Sequence, residues 1–436
     1  MSRTITPESL DALPLEGHYF VPTWPPFDRW TVEAVPRFEA WLTRPAPARS
    51  FGLYVHVPFC VERCDYCYYR SYDDRPEEMG RYLRAVCREL QLYAERPAFA
   101  GRQLEFVYFG GGTPSLLPVG QLRELFLGLQ ATLPWNAVRE VSFECAPKST
   151  TQRKLETLRE LGVTRISLGV QQLDDDVLAA NGRIHQIADV ERAWAAIRDV
   201  GFAVSNIDLI VGLVGETDAS FEQSLEHTLR LAPDGITIYQ LEIPYGTPLA
   251  RMLREGNVPS PPASWGLKRA RLARAFERLE AAGYVVRSAY SAVRDPLRHE
   301  FVYQDAQYHG ADLLGIGVAS FSYLDGIGQQ NLATLDPYLE AVEAGRLPLG
   351  RAYVLADDER LTRELLLQLK LGGLERAYFE RKFASAGLES FAGPFAALER
   401  SGLLTVTPDA VRLTRPGLLR VDHLIRSFDD GWDQLG

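Results

Sequence analysis

The amino-acid sequence predicts an α/β fold arranged as an open or partial (β/α)6 barrel, and three observations carry that expectation. Short apolar runs at 52–57, 104–109, 139–145, 164–169, 204–211 and 235–241 read as buried strands. Helical periodicity fills the intervals at 78–94, 119–131, 149–161, 188–200 and 218–231, the alternation of a parallel sheet with crossover helices. The six strand–helix units occupy about 200 residues, and no obvious Rossmann glycine fingerprint accompanies them, which favours a partial barrel over a doubly wound sheet.

A chain of 436 residues has room for one large domain of roughly 250 residues and one or two smaller modules. The expected divisions are an N-terminal strap at 1–50, the barrel with an extension at 51–330, and a mostly helical C-terminal module at 331–436. A formal net charge of −10 argues against a general nucleic-acid binder, although it leaves room for a local basic pocket. No apolar run approaches the roughly 20 residues of a membrane span. Asp11, Glu16 and Asp28 make the N-terminus too acidic for a targeting peptide, and five cysteines without a secretory signal fit a reducing compartment. The expectation is a cytoplasmic protein acting on a small molecule, with no nucleic acid and no membrane span.

In the strap, Tyr19, Phe20, Trp24, Phe27 and Trp30 cluster among Pro22, Pro25 and Pro26, as an arm packed on the main domain or a cover over its active site. Arg44-Pro45-Ala46-Pro47-Ala48-Arg49 reads as a stiff connector. The first strand then runs into Cys60-Val61-Glu62-Arg63-Cys64-Asp65-Tyr66-Cys67, three thiols within eight residues. Short loops of this kind hold [4Fe–4S] clusters, and three ligands leave the fourth iron open to a substrate or cofactor. A structural zinc needs four Cys or His ligands. Cys87 and Cys145 stand alone, and His56 lies in an apolar strand, so the zinc alternative lacks a fourth ligand.

In a barrel, chemistry sits where strands end and loops begin. The cysteine loop follows the first strand, and the second ends in Phe109-Gly110-Gly111-Gly112-Thr113-Pro114. That glycine run is a tight turn or a cofactor-binding turn, and its place on the cysteine rim favours the latter. The third strand ends in Ser142-Phe143-Glu144-Cys145 and the fourth in Gly169-Val170-Gln171. Asp208, a charge amid apolar residues on the fifth, either pairs with a core arginine or holds a ligand hydroxyl. Beyond the barrel, 283–287 and 313–317 read as strands around an irregular polar loop with Arg298, His299, Glu300 and Tyr303. Helical patterns follow at 335–345, 357–371, 377–386 and 391–401, then strands at 403–406 and 411–414. Helices followed by a hairpin give a winged-helix-like module, and Asp409, Asp422, Asp429, Asp430 and Asp433 favour a structural role for it over DNA binding.

Over about residues 50–420 the sequence resembles the radical S-adenosylmethionine (SAM) enzymes, specifically the HemN-like family of the oxygen-independent coproporphyrinogen III oxidase. The likeness rests on Tyr54-Val55-His56-Val57-Pro58-Phe59-Cys60, the cysteine loop with Tyr66, and Gly110-Gly111-Gly112-Thr113-Pro114. It continues through Arg165-Ile166-Ser167-Leu168-Gly169-Val170-Gln171, Asn206-Ile207-Asp208-Leu209-Ile210 and Gly246-Thr247-Pro248-Leu249. It implies that Cys60, Cys64 and Cys67 ligate the cluster, whose open iron chelates SAM, and that an electron donor such as flavodoxin or ferredoxin drives cleavage to a 5′-deoxyadenosyl radical. It further implies that Tyr54, Gly111 and Glu144 contact this SAM, with Tyr54 and Glu144 as the catalytic pair. A second SAM falls to Tyr66, Gly112, Thr113, Gln171, Arg183, Asp208 and the backbone near Glu242, and Phe321 closes the site.

The oxidase of that family carries a fourth cysteine two residues after the third, where this chain has Tyr69, and the haem-chaperone branch carries His-Asn where this chain has His299-Glu300. With neither signature intact, the expectation is the third branch, the class C methyltransferases and cyclopropane-forming enzymes, which use both SAM molecules. Oxidative decarboxylation of a porphyrinogen and haem delivery are the alternatives.

Overall fold

Strand β1 (Phe51–Val57) is buried at nearly every residue, as befits the middle of a sheet covered on both faces. The computed structural model describes residues 5–17, 24–45, 49–73, 75–383 and 387–428. Beside β1 lie, in chain order, β2 (Leu104–Gly111), β3 (Glu140–Cys145), β4 (Arg165–Gln171), β5 (Val204–Val211) and β6 (Gly235–Gln240), each parallel to its neighbour. The strands follow one another without a reversal of order, so the six units curve as a partial barrel and offer no switch point of the doubly wound kind.

The intervening helices form where the apolar period placed them: Met79–Ala94, Val119–Thr132, Gln152–Glu160, Ile187–Val200 and Asp218–Leu231. Met79, Tyr82, Leu83, Val86, Leu90 and Tyr93 make the buried stripe of the first, at spacings of three and four. Thr217 caps the last through a reciprocal bond with Ser220. One charge breaks the stripe of Met79–Ala94. Glu89 is fully buried and accepts from Tyr338 Oη at 2.6 Å, Asn331 Nδ2 at 2.6 Å and Gly317 N at 2.8 Å. Burial outweighs these donors and pushes its carboxyl up to about 7.

Past β6 the sheet changes character. The short strands β7 (Val285–Val286) and β8 (Ser291–Val293) add antiparallel to one edge, while β9 (Asp312–Ile316) returns beside β1. From there β10 (Phe321–Leu324), β11 (Ile327–Asn331) and β12 (Leu349–Val354) extend the other edge antiparallel, making twelve strands among the described residues. The strand expected at 283–287 shrinks to two residues because Gly283, at φ +85°, turns the chain before it and Ser288 turns it after. The loop expected to be irregular contains the helix Val302–Tyr308, held by Val302 against Phe106 and Leu313.

The described strap residues pack as an arm. The helix Pro7–Asp11 lies on the helix Trp265–Ala281, where Asp11 pairs with Arg269 and, at 2.6 Å, with Arg420. Thr31 bridges to Ala352 at the β12 edge, and Phe27 stacks on Phe321 at 4.3 Å. Tyr19, Phe20, Pro22 and the connector at 46–48 lie outside the described residues. The C-terminal part has its own small sheet, β13 (Gly373–Glu375), β14 (Leu404–Val406) and β15 (Ala410–Leu413), with helices Asp357–Leu369, Arg376–Phe383 and Ala392–Arg400. This helix-and-hairpin core takes in Leu10, Trp24 and Tyr290, which fastens it to both strap and barrel. Asp429, Asp430 and Asp433 lie outside the described residues. Among the described residues no helix is long and apolar enough to cross a membrane.

Candidate active site

The cysteine loop leaves β1 pinned at its base, where Cys60 N donates to Tyr72 O at 3.0 Å and Tyr72 N to Pro58 O at 2.6 Å. Cys67 N donates to Cys64 O at 3.1 Å, and the Arg63 guanidinium holds Cys67 O at 2.7 Å, curling the loop on itself. Outside contacts fix its orientation: Asp65 N donates to Asn181 O at 3.3 Å and Asp65 O accepts from Leu249 N at 2.8 Å. Cys60, Cys64 and Cys67 are half-buried free thiols on one wall of a cavity of about 350 Å³ at the C-terminal ends of the parallel strands. Burial pushes the Cys67 thiol up to about 11 and raises Cys60 as well.

Among the described residues no three His, Cys, Asp or Glu side chains converge on a single ion. The thiols instead share a cavity wall, which suits a multi-iron cluster whose irons each take a separate thiolate. Their neighbours suit charged ligands too. Thr113 Oγ1 donates to Cys60 Sγ at 3.5 Å and Arg183 Nη1 to Cys64 Sγ at 3.2 Å. Tyr66 Oη and Arg183 Nε are buried beside them without a hydrogen-bond partner among the described residues, polar atoms that a bound group would satisfy.

The glycine turn after β2 packs directly onto this loop. Gly112 N donates to Val57 O and Thr113 N to Phe59 O, both at 2.8 Å, so the turn is sewn to the strand that launches the cysteines. Gly111 adopts φ +113°, and a Cβ there would come within 2.4 Å of the His56 ring. Gly111 N donates to Glu144 Oε2 at 3.2 Å. Three successive N–H groups thus serve the protein itself, while Gly111, Gly112 and Thr113 still line the cavity.

Glu144, from β3, also accepts from Tyr108 Oη at 2.6 Å, and burial lifts its carboxyl to about 7. Asp208, from β5, accepts from Ser167 Oγ at 2.7 Å and Asn206 Nδ2 at 2.8 Å, with burial lifting it to about 6. Hydroxyl and amide donors hold Asp208, and among the described residues no arginine forms an ion pair with it, although Arg165 is near enough to lower its pKa. Gln171 ends β4 at φ +66°, where the register with β5 shifts. Arg183 Nη2 donates to Gly169 O at 2.7 Å, and Gln171, Arg183 and Glu242 complete the wall.

Two expected residues are not brought to this cavity. Tyr54 lies on β1 with its hydroxyl on His56 Nδ1 at 3.0 Å, and it packs with Phe106, Val302 and Leu313. Tyr108, one strand over, takes the cavity position. Phe321 sits in β10, between β9 and β11, under Phe27 and Trp30 of the strap. None of the described strap residues lines the cavity, and those residues pack as an arm; Tyr19 and Phe20 lie outside the described residues.

Other walls had no motif to announce them. Tyr68 and Tyr69, stacked at 4.6 Å, and Tyr239 stand in the cavity about two-fifths exposed. Residues 419–423 of the C-terminal part close another wall: Gln240 Nε2 donates to Leu419 O at 3.0 Å, and Asp422 accepts from Tyr290 Oη at 2.6 Å and Lys370 Nζ at 2.7 Å. Only the Tyr-Tyr pair directly after Cys67 carried a local hint. His299 also faces in, with Nδ1 accepting from Asp295 N at 3.3 Å and Nε2 lying 3.8 Å from Asp234 Oδ1.

A family model described as the Radical SAM superfamily matches residues 54–228. The chain is 32% identical over 395 residues to the heme chaperone HemW of Mycobacterium tuberculosis, covering 88% of this chain and 96% of that one. It is 30% identical over 391 residues to the oxygen-independent coproporphyrinogen III oxidase of Pseudomonas aeruginosa, covering 85% and 80%. Among solved structures, coproporphyrinogen III oxidase (HemN) from Escherichia coli superposes with a TM-score of 0.81 at 26% identity, covering 94% of this chain and 97% of that one.

Proposed function

This chain belongs to the radical SAM superfamily, in the HemN-like family of the coproporphyrinogen oxidases and HemW, and from that premise we propose that it transfers a methyl or methylene carbon to an unsaturated small molecule. Cys60, Cys64 and Cys67 would hold a [4Fe–4S] cluster, Gly111 and Glu144 the SAM on it. A second SAM would lie against Tyr66, Gly112, Thr113, Gln171, Arg183, Asp208 and Glu242. When bound, the cluster and the two SAM molecules supply a 5′-deoxyadenosyl radical and a transferable carbon.

The chain's own residues supply position and charge. Glu144, fixed by Tyr108 and Gly111 N, and Asp208, fixed by Ser167 and Asn206, present carboxylates to hydroxyls from strands flanking β4. Arg183 keeps a buried Nε–H for a ligand carboxylate. The tyrosines and Phe301 give the chamber apolar walls that keep bulk water from a reactive intermediate.

The observation that carries the choice of reaction is how the cavity's arginines are employed. Arg63 holds Cys67 O, Arg165 pairs with Glu140 at 2.8 Å, Arg183 holds Cys64 and Gly169, and Arg420 pairs with Asp11. Coproporphyrinogen carries four propionates, and a wall whose arginines other than Arg287 are already committed is ill matched to four acids. Haem delivery would require a histidine to turn to iron, and both nitrogens of His299 already face protein groups.

The test is anaerobic turnover with reductant, methyl-labelled SAM and candidate substrates. S-adenosylhomocysteine formed together with 5′-deoxyadenosine, with label in the product, is expected. Carbon dioxide from coproporphyrinogen without incorporated label would overturn transfer in favour of decarboxylation. Stoichiometric haem binding that is lost in His299→Ala would favour the chaperone role instead.

A further inference from the structure

Arg287 is the exception among the cavity's arginines. It follows β7, is exposed, and among the described residues its guanidinium makes no hydrogen bond or ion pair. The charges around it are settled elsewhere: Glu300 pairs with Arg139 at 3.0 Å, and Arg165 with Glu140. Asp305, on the helix Val302–Tyr308, is near enough for Arg287 to lower its pKa but forms no ion pair among the described residues, and burial raises its carboxyl.

The position is informative. Arg287, Glu300 and Asp305 line the main cavity and also a second groove of about 490 Å³. That groove includes Glu105, near the start of β2, and Arg139, just before β3, so it opens at the N-terminal ends of the strands, opposite the cysteine rim. Between the two ends, Tyr68, Tyr69, Tyr108, Tyr239 and Phe301 give the passage aromatic walls. An uncommitted arginine at one end of an aromatic passage is suited to a ligand with a flat body and a single acid group, since a guanidinium fork binds a carboxylate in two-point fashion.

We propose that Arg287 anchors a carboxylate of the substrate, a planar unsaturated acid whose body lies among the tyrosines and whose acid points away from the cysteine rim. The proposal rests on this cavity being the reaction chamber inferred above, and it names the substrate class for it. Asp305 then acts as a selectivity partner, disfavouring a second acid group beside the first.

The test uses the full chain with its cluster reconstituted and SAM saturating. Benzoate, 2-naphthoate, anthracene-2-carboxylate and their primary amides are titrated by equilibrium dialysis. At least one acid is expected to bind about tenfold or more tightly than its amide, the scale of a charge-assisted two-point contact. Arg287→Gln should erase that preference with iron content and SAM binding unchanged, and Arg139→Gln should leave it intact. Asp305→Asn should tighten acid binding and gives a second reading independent of the arginine variant. Equal binding of every acid and amide by the wild type, or a preference that survives Arg287→Gln, overturns the anchor. SAM stoichiometry is measured separately: one SAM per chain with the acid preference intact removes the two-SAM reading and leaves the anchor standing.

Discussion

Cys60, Cys64 and Cys67 stand together on one loop at the cavity, whereas Cys87 lies against Gly128 between helices and Cys145, which also borders the cavity, is buried at the end of β3. The Cys60→Ala/Cys64→Ala/Cys67→Ala triple variant should therefore lose the cluster, with iron and sulfide falling to background, while Cys87→Ala and Cys145→Ala keep it. Full cluster in the triple variant would refute the ligand assignment. Glu89 provides a test unrelated to the site. Its folded-state carboxyl titrates at about 7 against an ordinary 4.5, so the fold holds that proton more tightly than the unfolded chain does. Its contribution to stability is full below about pH 4.5 and is lost as pH rises through 7. Chemical denaturation at pH 5 and pH 7.5 should show a fall in the wild type that Glu89→Gln lessens; parallel slopes would contradict the shift. At this scale Arg183 came only through the family resemblance, whereas the sequence itself named Glu144 as a carboxylate at a strand end and Asp208 as a charge amid apolar residues. It could not tell that Tyr108 would occupy the cavity position and Tyr54 the layer beside Phe106, since both tyrosines lie on inward strand faces and only their packing separates them.

Among the elements, the glycine turn after β2 carries the sharpest expectation. Gly111→Ala places a methyl within 2.4 Å of the His56 ring at a backbone angle of φ +113°. Strain of this kind costs on the order of 1–3 kcal/mol. The turn is bonded to Val57 and Phe59, so the displacement should reach the cysteine loop. The variant should melt lower and lose iron faster to a chelator than wild type; unchanged iron release would mean that turn and loop are uncoupled. The parallel strands were legible because each is a continuous apolar run, and their helices because the buried stripe keeps its period. Strand β11 was not legible, for Ile-Gly-Gln-Gln-Asn is wholly buried without being apolar. Two of its polar side chains find partners distant in the chain, Arg351 Nε donating to Gln330 Oε1 at 2.6 Å and Asn331 Nδ2 to Glu89. The helix Val302–Tyr308 was hidden for a related reason, being held by the cluster of Phe106 and Leu313 and not by a stripe of its own.

For the whole molecule, the decisive contacts join parts far apart in sequence. Asp11 pairs with Arg269, which is almost fully buried, and with Arg420, which borders the cavity wall. Removing one partner of such a set leaves buried charge uncompensated, at a cost of about 3 kcal/mol. Asp11→Ala should lower the thermal midpoint and expose the C-terminal part to limited proteolysis, and an unchanged digestion pattern would show that the strap does not hold it. The wall built by residues 419–423 also gives the site a history in time. The cysteine loop leaves the ribosome long before His423, an interval of roughly 20–70 s at synthesis rates of about 5–20 residues per second. Throughout that interval the loop exists without the wall that later closes over it. If the thiols take up a cluster before that wall docks, an arrested chain ending before residue 419 should take up iron from a carrier faster than the finished protein does, and equal uptake by both would contradict it.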